Sequence, residues 1–119
     1  MFDNTITLTL NAVAKTLTRV DGTGGRGVFR NISEGLRVTL TQSETKARRQ
    51  ITGVRLDHEK LAADPLVSGV SRPVSGSIKL IADYPSLGYT LVEREDHLQA
   101  VADWLAIQAN RDKLLNGEV

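Results

Sequence analysis

The sequence predicts an α+β fold in which antiparallel strands come first and helices last. Three observations carry this expectation. Apolar and polar residues alternate with period two through much of the first two-thirds of the chain. Segments bearing Gly, Pro and Asn or Asp separate the alternating runs. After Pro85, Ser86, Leu87 and Gly88 the period changes to that of a helix.

The run Thr5, Ile6, Thr7, Leu8, Thr9, Leu10 alternates β-branched polar residues with apolar ones, as a half-buried strand does. A second run over residues 15–20 follows closely enough to form a hairpin within residues 1–20. The segment from Asp21 to Gly27 holds four glycines and reads as a loop. Residues 28–32 then resume a strand and open a sheet that spans residues 26–84. In residues 36–41, Leu36, Val38 and Leu40 share one face, and Arg37, Thr39 and Thr41 share the other. The polar residues 42–46 form a turn, and residues 48–56 return as a strand in which Gly53 marks a bulge. Residues 57–73 have no clear period and read as a long loop. Residues 77–84 form the last strand. A run of antiparallel strands is therefore expected after the hairpin.

Two helices are expected over residues 90–116. Thr90 and Glu93 have the spacing of a capping box, and acids gather in the first turns, where the helix dipole favours them. Leu98, Val101, Ala102, Leu105 and Ala109 lie at helical spacing, and a shorter helix over residues 111–115 ends near Gly117. Trp104 is the one large anchor, placed equally well in the subunit's own core or against another surface.

Composition narrows the function. The chain has 119 residues, enough for a single domain over 1–119 but not for two comfortable cores. Only five residues are aromatic, so the core must be built from Val, Leu, Ile and Ala. A thin core of this kind favours completion by oligomerisation. There is no cysteine for a disulfide or a thiolate metal site. No apolar run approaches the roughly 20 residues needed to cross a bilayer, and the first residues do not read as a signal peptide. A soluble protein without a membrane partner is expected.

Net charge is +1, but its distribution is uneven. Residues 37–55 hold five bases and one acid, whereas residues 83–119 hold seven acids and three bases. The basic strands can neutralise phosphates, and their threonines can donate hydrogen bonds to phosphate or base edges. The same charges would also serve to solvate an exposed sheet face.

Candidate catalytic and metal sets are weak. Gly22, Gly24 and Gly27 have the spacing of a dinucleotide fingerprint, but a strand rather than a helix follows them. His58 and His97 sit in no ligand pattern, and no serine has the setting of a nucleophile. No enzyme activity, cofactor or metal is expected.

The whole-chain order resembles the coat proteins of single-stranded RNA bacteriophages, the levivirus-like group. The run Arg37, Val38, Thr39, Leu40, Thr41 looks like the RNA-contacting strand of that family. Ser77, Lys79 and Ile81, followed by Asp83 and Tyr84-Pro85, are similar to its last strand and terminal proline. The strand over residues 48–55 takes the place of the remaining RNA-facing strand, with Thr52 as the counterpart of its threonine. Ile81 departs from a position that is often polar, and Ser77 lies near where some members stack an aromatic ring.

The resemblance implies a sheet of about five antiparallel strands after the hairpin, and a homodimer with such sheets joined edge to edge and helices packed on the partner. It implies an icosahedral shell in a virion assembled in the cytoplasm of a bacterial host. Residues 57–73 become an inter-subunit loop near the symmetry axes. Arg37, Thr39, Thr41, Arg49, Thr52, Arg55, Ser77 and Lys79 become the contacts for single-stranded genomic RNA on the inner sheet face. Repression of translation through an RNA hairpin is a further implication. The rival expectation is a dimeric RNA-binding regulator that forms no capsid and uses the same basic sheet.

Overall fold

The computed structural model describes residues 4–10, 12–63, 65–66 and 69–118. It divides into two compact units, Met1–Tyr84 and Pro85–Val119. The first unit is one sheet of strands β1 (Thr5–Leu10), β2 (Val13–Asp21), β3 (Arg26–Asn31), β4 (Leu36–Glu44), β5 (Arg49–Ala63) and β6 (Ser71–Pro85). Each strand neighbours the next in sequence, so β1 and β6 are the edges.

The N-terminal hairpin is therefore part of the sheet rather than a preface to it. β2 pairs with β1 on one side, and its other side bonds to β3, with Thr18 opposite Arg30. The hairpin thus joins the four strands that follow it, one fewer than expected, in a single six-stranded sheet.

One face of β1–β5 carries the core. Leu17 and Phe29 are fully buried, Leu36 and Val38 nearly so, and Ile6, Leu8, Leu10, Leu40 and Leu56 pack around them. These positions follow the alternation of each strand. The guanidinium of Arg19 lies 4.7 Å from the centre of the Phe29 ring, closing that end of the core by cation–π contact.

The turn between β3 and β4 is built by side chains. Asn31 Oδ1 accepts hydrogen bonds from Ser33 Oγ at 2.8 Å and from Glu34 N at 3.3 Å. Asn31 Nδ2 donates to the Thr16 carbonyl across the sheet at 2.9 Å. Gly35 then takes φ +67°, and a Cβ there would collide with the Glu59 carbonyl oxygen. Its own carbonyl accepts from Glu59 N at 2.9 Å, so the close approach ties this turn to β5.

Three expectations about β4–β6 need correction. The turn after β4 is shorter and later than residues 42–46, because pairing continues to Glu44 opposite Gln50. Thr45 then closes the turn: its backbone N donates to the Arg49 carbonyl at 2.9 Å, and its hydroxyl accepts from Arg49 N at 3.3 Å. Gly53 marks no bulge. The β4–β5 register runs without a break from Leu36 opposite His58 to Glu44 opposite Gln50. The irregularity lies instead in β2, between Arg19 and Asp21.

The third correction concerns the loop over residues 57–73. β5 runs on to Ala63 and β6 begins at Ser71, so both flanks of that stretch are strand. Most positions of this extension are exposed, which removes the hydrophobic alternation that would have announced it. Asp64 and Ser68, expected in the loop, lie outside the described residues.

The second unit holds helices α1 (Leu91–Leu105) and α2 (Gln108–Leu115). Thr90 caps α1 as expected, its hydroxyl accepting from Glu93 N at 3.2 Å. α1 stops at Leu105, so Ala109 belongs to α2 rather than extending the first helix. Asn110 Nδ2 and Arg111 Nη1 bond the carbonyls of Trp104 and Leu105 at 3.0 and 2.7 Å, satisfying acceptors at the end of α1. α2 closes with Gly117 at φ +79°, where Gly117 N bonds Leu114 O and Glu118 N bonds Lys113 O. This is a Schellman closure, and it needs the left-handed backbone that glycine adopts freely.

No residue of α1 or α2 is buried. Trp104 is 50% exposed, as is Leu98.

Candidate nucleic-acid interface

Pairing register fixes which side chains share the face opposite the core, because directly opposed residues in antiparallel strands point the same way. Arg37, Thr39 and Thr41 alternate with the core residues Leu36, Val38 and Leu40, so they occupy the open face of β4. On β5 their partners are Asp57, Arg55 and Gly53. Gly53 serves proximity here: a Cβ in its place would come within 3.0 Å of Thr41 Oγ1.

Thr52 does not join this group. It lies opposite Gln42, on the side of Leu40, Val54 and Leu56. The regular register places Gly53, rather than Thr52, beside Thr41.

Arg49 shares the face of Gly53 and Arg55 by alternation along β5, and it reaches β6. Its Nε lies 2.8 Å from Asp83 Oδ1, and Nη2 donates to the Asp83 carbonyl at 3.4 Å. Alternation from Asp83 puts Ile81, Lys79 and Ser77 on the Arg49 side of β6. Arg55 has its own acid, with Nε 2.8 Å from Asp57 Oδ1. Both pairs are substantially exposed, so each contributes only about 0–1 kcal/mol and can yield to a competing phosphate.

β3 adds two bases that the sequence reading overlooked. Arg26 stands opposite Thr41 and Arg30 opposite Arg37, so both lie on the open face. Between them Val28, opposite Thr39, is buried and forms an apolar floor. Arg26, Arg30, Arg37 and Arg55 surround an open cleft of about 460 Å³, to which Thr39 and Asp57 also contribute. The signal for Arg26 and Arg30 was their spacing of four, which places both on one side of a strand. It was masked because the intervening Val28 and Phe29 are both apolar.

The face continues toward the other edge as hydroxyls. Thr18 lies opposite Arg30, Thr5 opposite Thr18, and Thr7 opposite Thr16. Cations therefore concentrate on β3–β6 and neutral donors on β1–β2. Among the described residues no group of three or more His, Cys, Asp or Glu is placed to hold a metal ion. No helix is long and apolar enough to cross a membrane.

No protein-family model and no curated protein matches the sequence. Solved structures do match. The chain aligns with the virus-like particle of bacteriophage AVE019 at 17% identity and a TM-score of 0.84, covering 98% of this chain and 97% of that one. It aligns with the virus-like particle of Beihai levi-like virus 21 at 15% identity and a TM-score of 0.66, covering 97% and 94%. It also aligns with the protein capsid of bacteriophage GA at 16% identity and a TM-score of 0.58, covering 98% and 95%. The chain thus has, along nearly its full length, the fold of proteins that form phage capsids and levi-like virus-like particles.

Proposed function

We propose that this chain is the coat protein of a single-stranded RNA bacteriophage. It forms a homodimer, assembles into an icosahedral shell in the bacterial cytoplasm, and holds genomic RNA on the open sheet face inside the virion. The observation that carries this reading is the end-to-end structural match to virus-like-particle proteins, with almost no unmatched segment on either side.

Two features of the chain support it. β6 is a sheet edge, and an identical edge related by a twofold axis can complete its ladder. Leu98, Val101 and Trp104 are about half exposed on a helix with no buried residue, as suits a surface finished by a second subunit. The open sheet face supplies the RNA contacts: Arg37, Thr39 and Arg55 in the basic cleft, with Thr41, Arg49, Ser77 and Lys79 beyond it. Holding an RNA hairpin on that face also represses translation of the message that carries it.

Expression of the chain alone in bacteria tests the proposal. Electron microscopy should reveal closed particles containing nuclease-protected RNA. Small soluble oligomers under every assembly condition would refute the shell. Salt-sensitive RNA binding without particles would favour a dimeric regulator instead. The double variant Arg37→Ala, Lys79→Ala should retain less RNA while still forming dimers.

A further inference from the structure

We propose that Arg30 and Arg37 act together as a clamp for one phosphate group of a bound RNA strand. The inference rests on the RNA reading of the open sheet face and specifies what one part of that face grips.

Arg30 and Arg37 are direct partners in the unbroken β3–β4 register. Direct partners hold their Cβ atoms about 4.5–5.5 Å apart, and like charges in that relation destabilise a sheet. Both side chains are exposed on the face opposite the core. The nearest acid in the row is Asp57, opposite Arg37 on β5, and its carboxylate is engaged by Arg55 at 2.8 Å. Among the described residues neither Arg30 nor Arg37 has a carboxylate within ion-pairing distance. The sheet thus sets two arginines at directly opposed positions with no such ion pair to either, although Asp57 and Glu59 line the same cleft.

An anion between them resolves the repulsion. Two planar forks borne at opposed positions on adjacent strands suit the several oxygens of a phosphate better than a single acceptor. Buried Val28, in the neighbouring row, lowers the local polarity beneath the pair, and Thr39 and Thr18 border it with hydroxyl donors. A clamp on phosphate positions the strand without reading its bases, so its contribution should be the same for any RNA sequence.

The decisive variant is Arg30→Glu, which sets an acid opposite Arg37 and turns a repulsive pair into an attractive one. A higher thermal unfolding midpoint is expected together with weaker RNA binding, a combination that general damage to the fold does not produce. Binding of fluorescein-labelled oligouridylate and oligoadenylate should fall at least tenfold for both. The dependence of log affinity on log salt should become shallower by about 0.7 for each phosphate that is no longer neutralised. Arg30→Lys should retain most of the affinity. Arg30→Gln should weaken binding without adding an acid, and it serves if the glutamate variant does not fold. Native affinity and salt slope in both the Glu and Gln variants would overturn the clamp while leaving the proposed function intact. Loss confined to one of the two oligonucleotides would also overturn it, since that is base readout. Failure of the native chain to bind either RNA would overturn the clamp and the RNA role together, even if particles form.

Discussion

The sheet unit and the helical unit treat their apolar residues in opposite ways. In the sheet, Leu17, Phe29, Leu36 and Val38 are removed from water by strands of the same chain. In the helices, Leu91, Val92, Leu98, Val101 and Trp104 remain between 45% and 70% exposed. Burial of apolar area is the main favourable term in folding, so a sequence that carries such residues without covering them is incomplete alone. Under the proposed function, the sheet core sets the stability of the subunit and the helices set that of the shell.

The largest expected effect lies in the core. Phe29→Ala removes the largest fully buried side chain and should cost about 3–5 kcal/mol, measured by denaturant unfolding. Trp104→Ala should change subunit unfolding much less, yet it should reduce particle yield measured by sedimentation. A comparable loss of subunit stability in both variants would erase the distinction between the two regions. Gly35→Ala is expected next, at about 1–3 kcal/mol, because it combines a left-handed backbone with a collision against the Glu59 carbonyl. The smallest effect is expected from Thr90→Ala. Loss of the hydroxyl that accepts from Glu93 N should cost about 1 kcal/mol, detectable as fraying at the start of α1 by hydrogen exchange.

The same contrast explains which features could be read from the sequence. β1 and β4 announced themselves because one face of each meets the core and the other does not, the condition that produces strict alternation. The Thr90 cap and the Gly117 closure were legible because local backbone chemistry limits the residues that serve there. The outer reaches of β5 and β6 were not. Their side chains are mostly exposed on both faces, so nothing in the sequence records the pleat.

The candidate site was half legible for a related reason. Arg37, Thr39 and Thr41 follow from the alternation of β4, but their neighbours depend on register across strands. Thr52 entered only through the family resemblance, and the unbroken register places it on the other face. The irregularity fell instead between Arg19 and Asp21, with no glycine to mark it. Arg26 and Arg30 became visible only once β3 was set against β4. A one-residue error in register flips every side chain, so a face built from several strands is less secure in sequence than any single strand within it.

The most direct test of the central claim is sedimentation of the purified native chain over a wide range of protein concentration. Dimers and closed particles are expected, because under the proposed function the half-exposed helical residues are covered by a second subunit. A chain that stays folded and monomeric at every concentration would contradict the account.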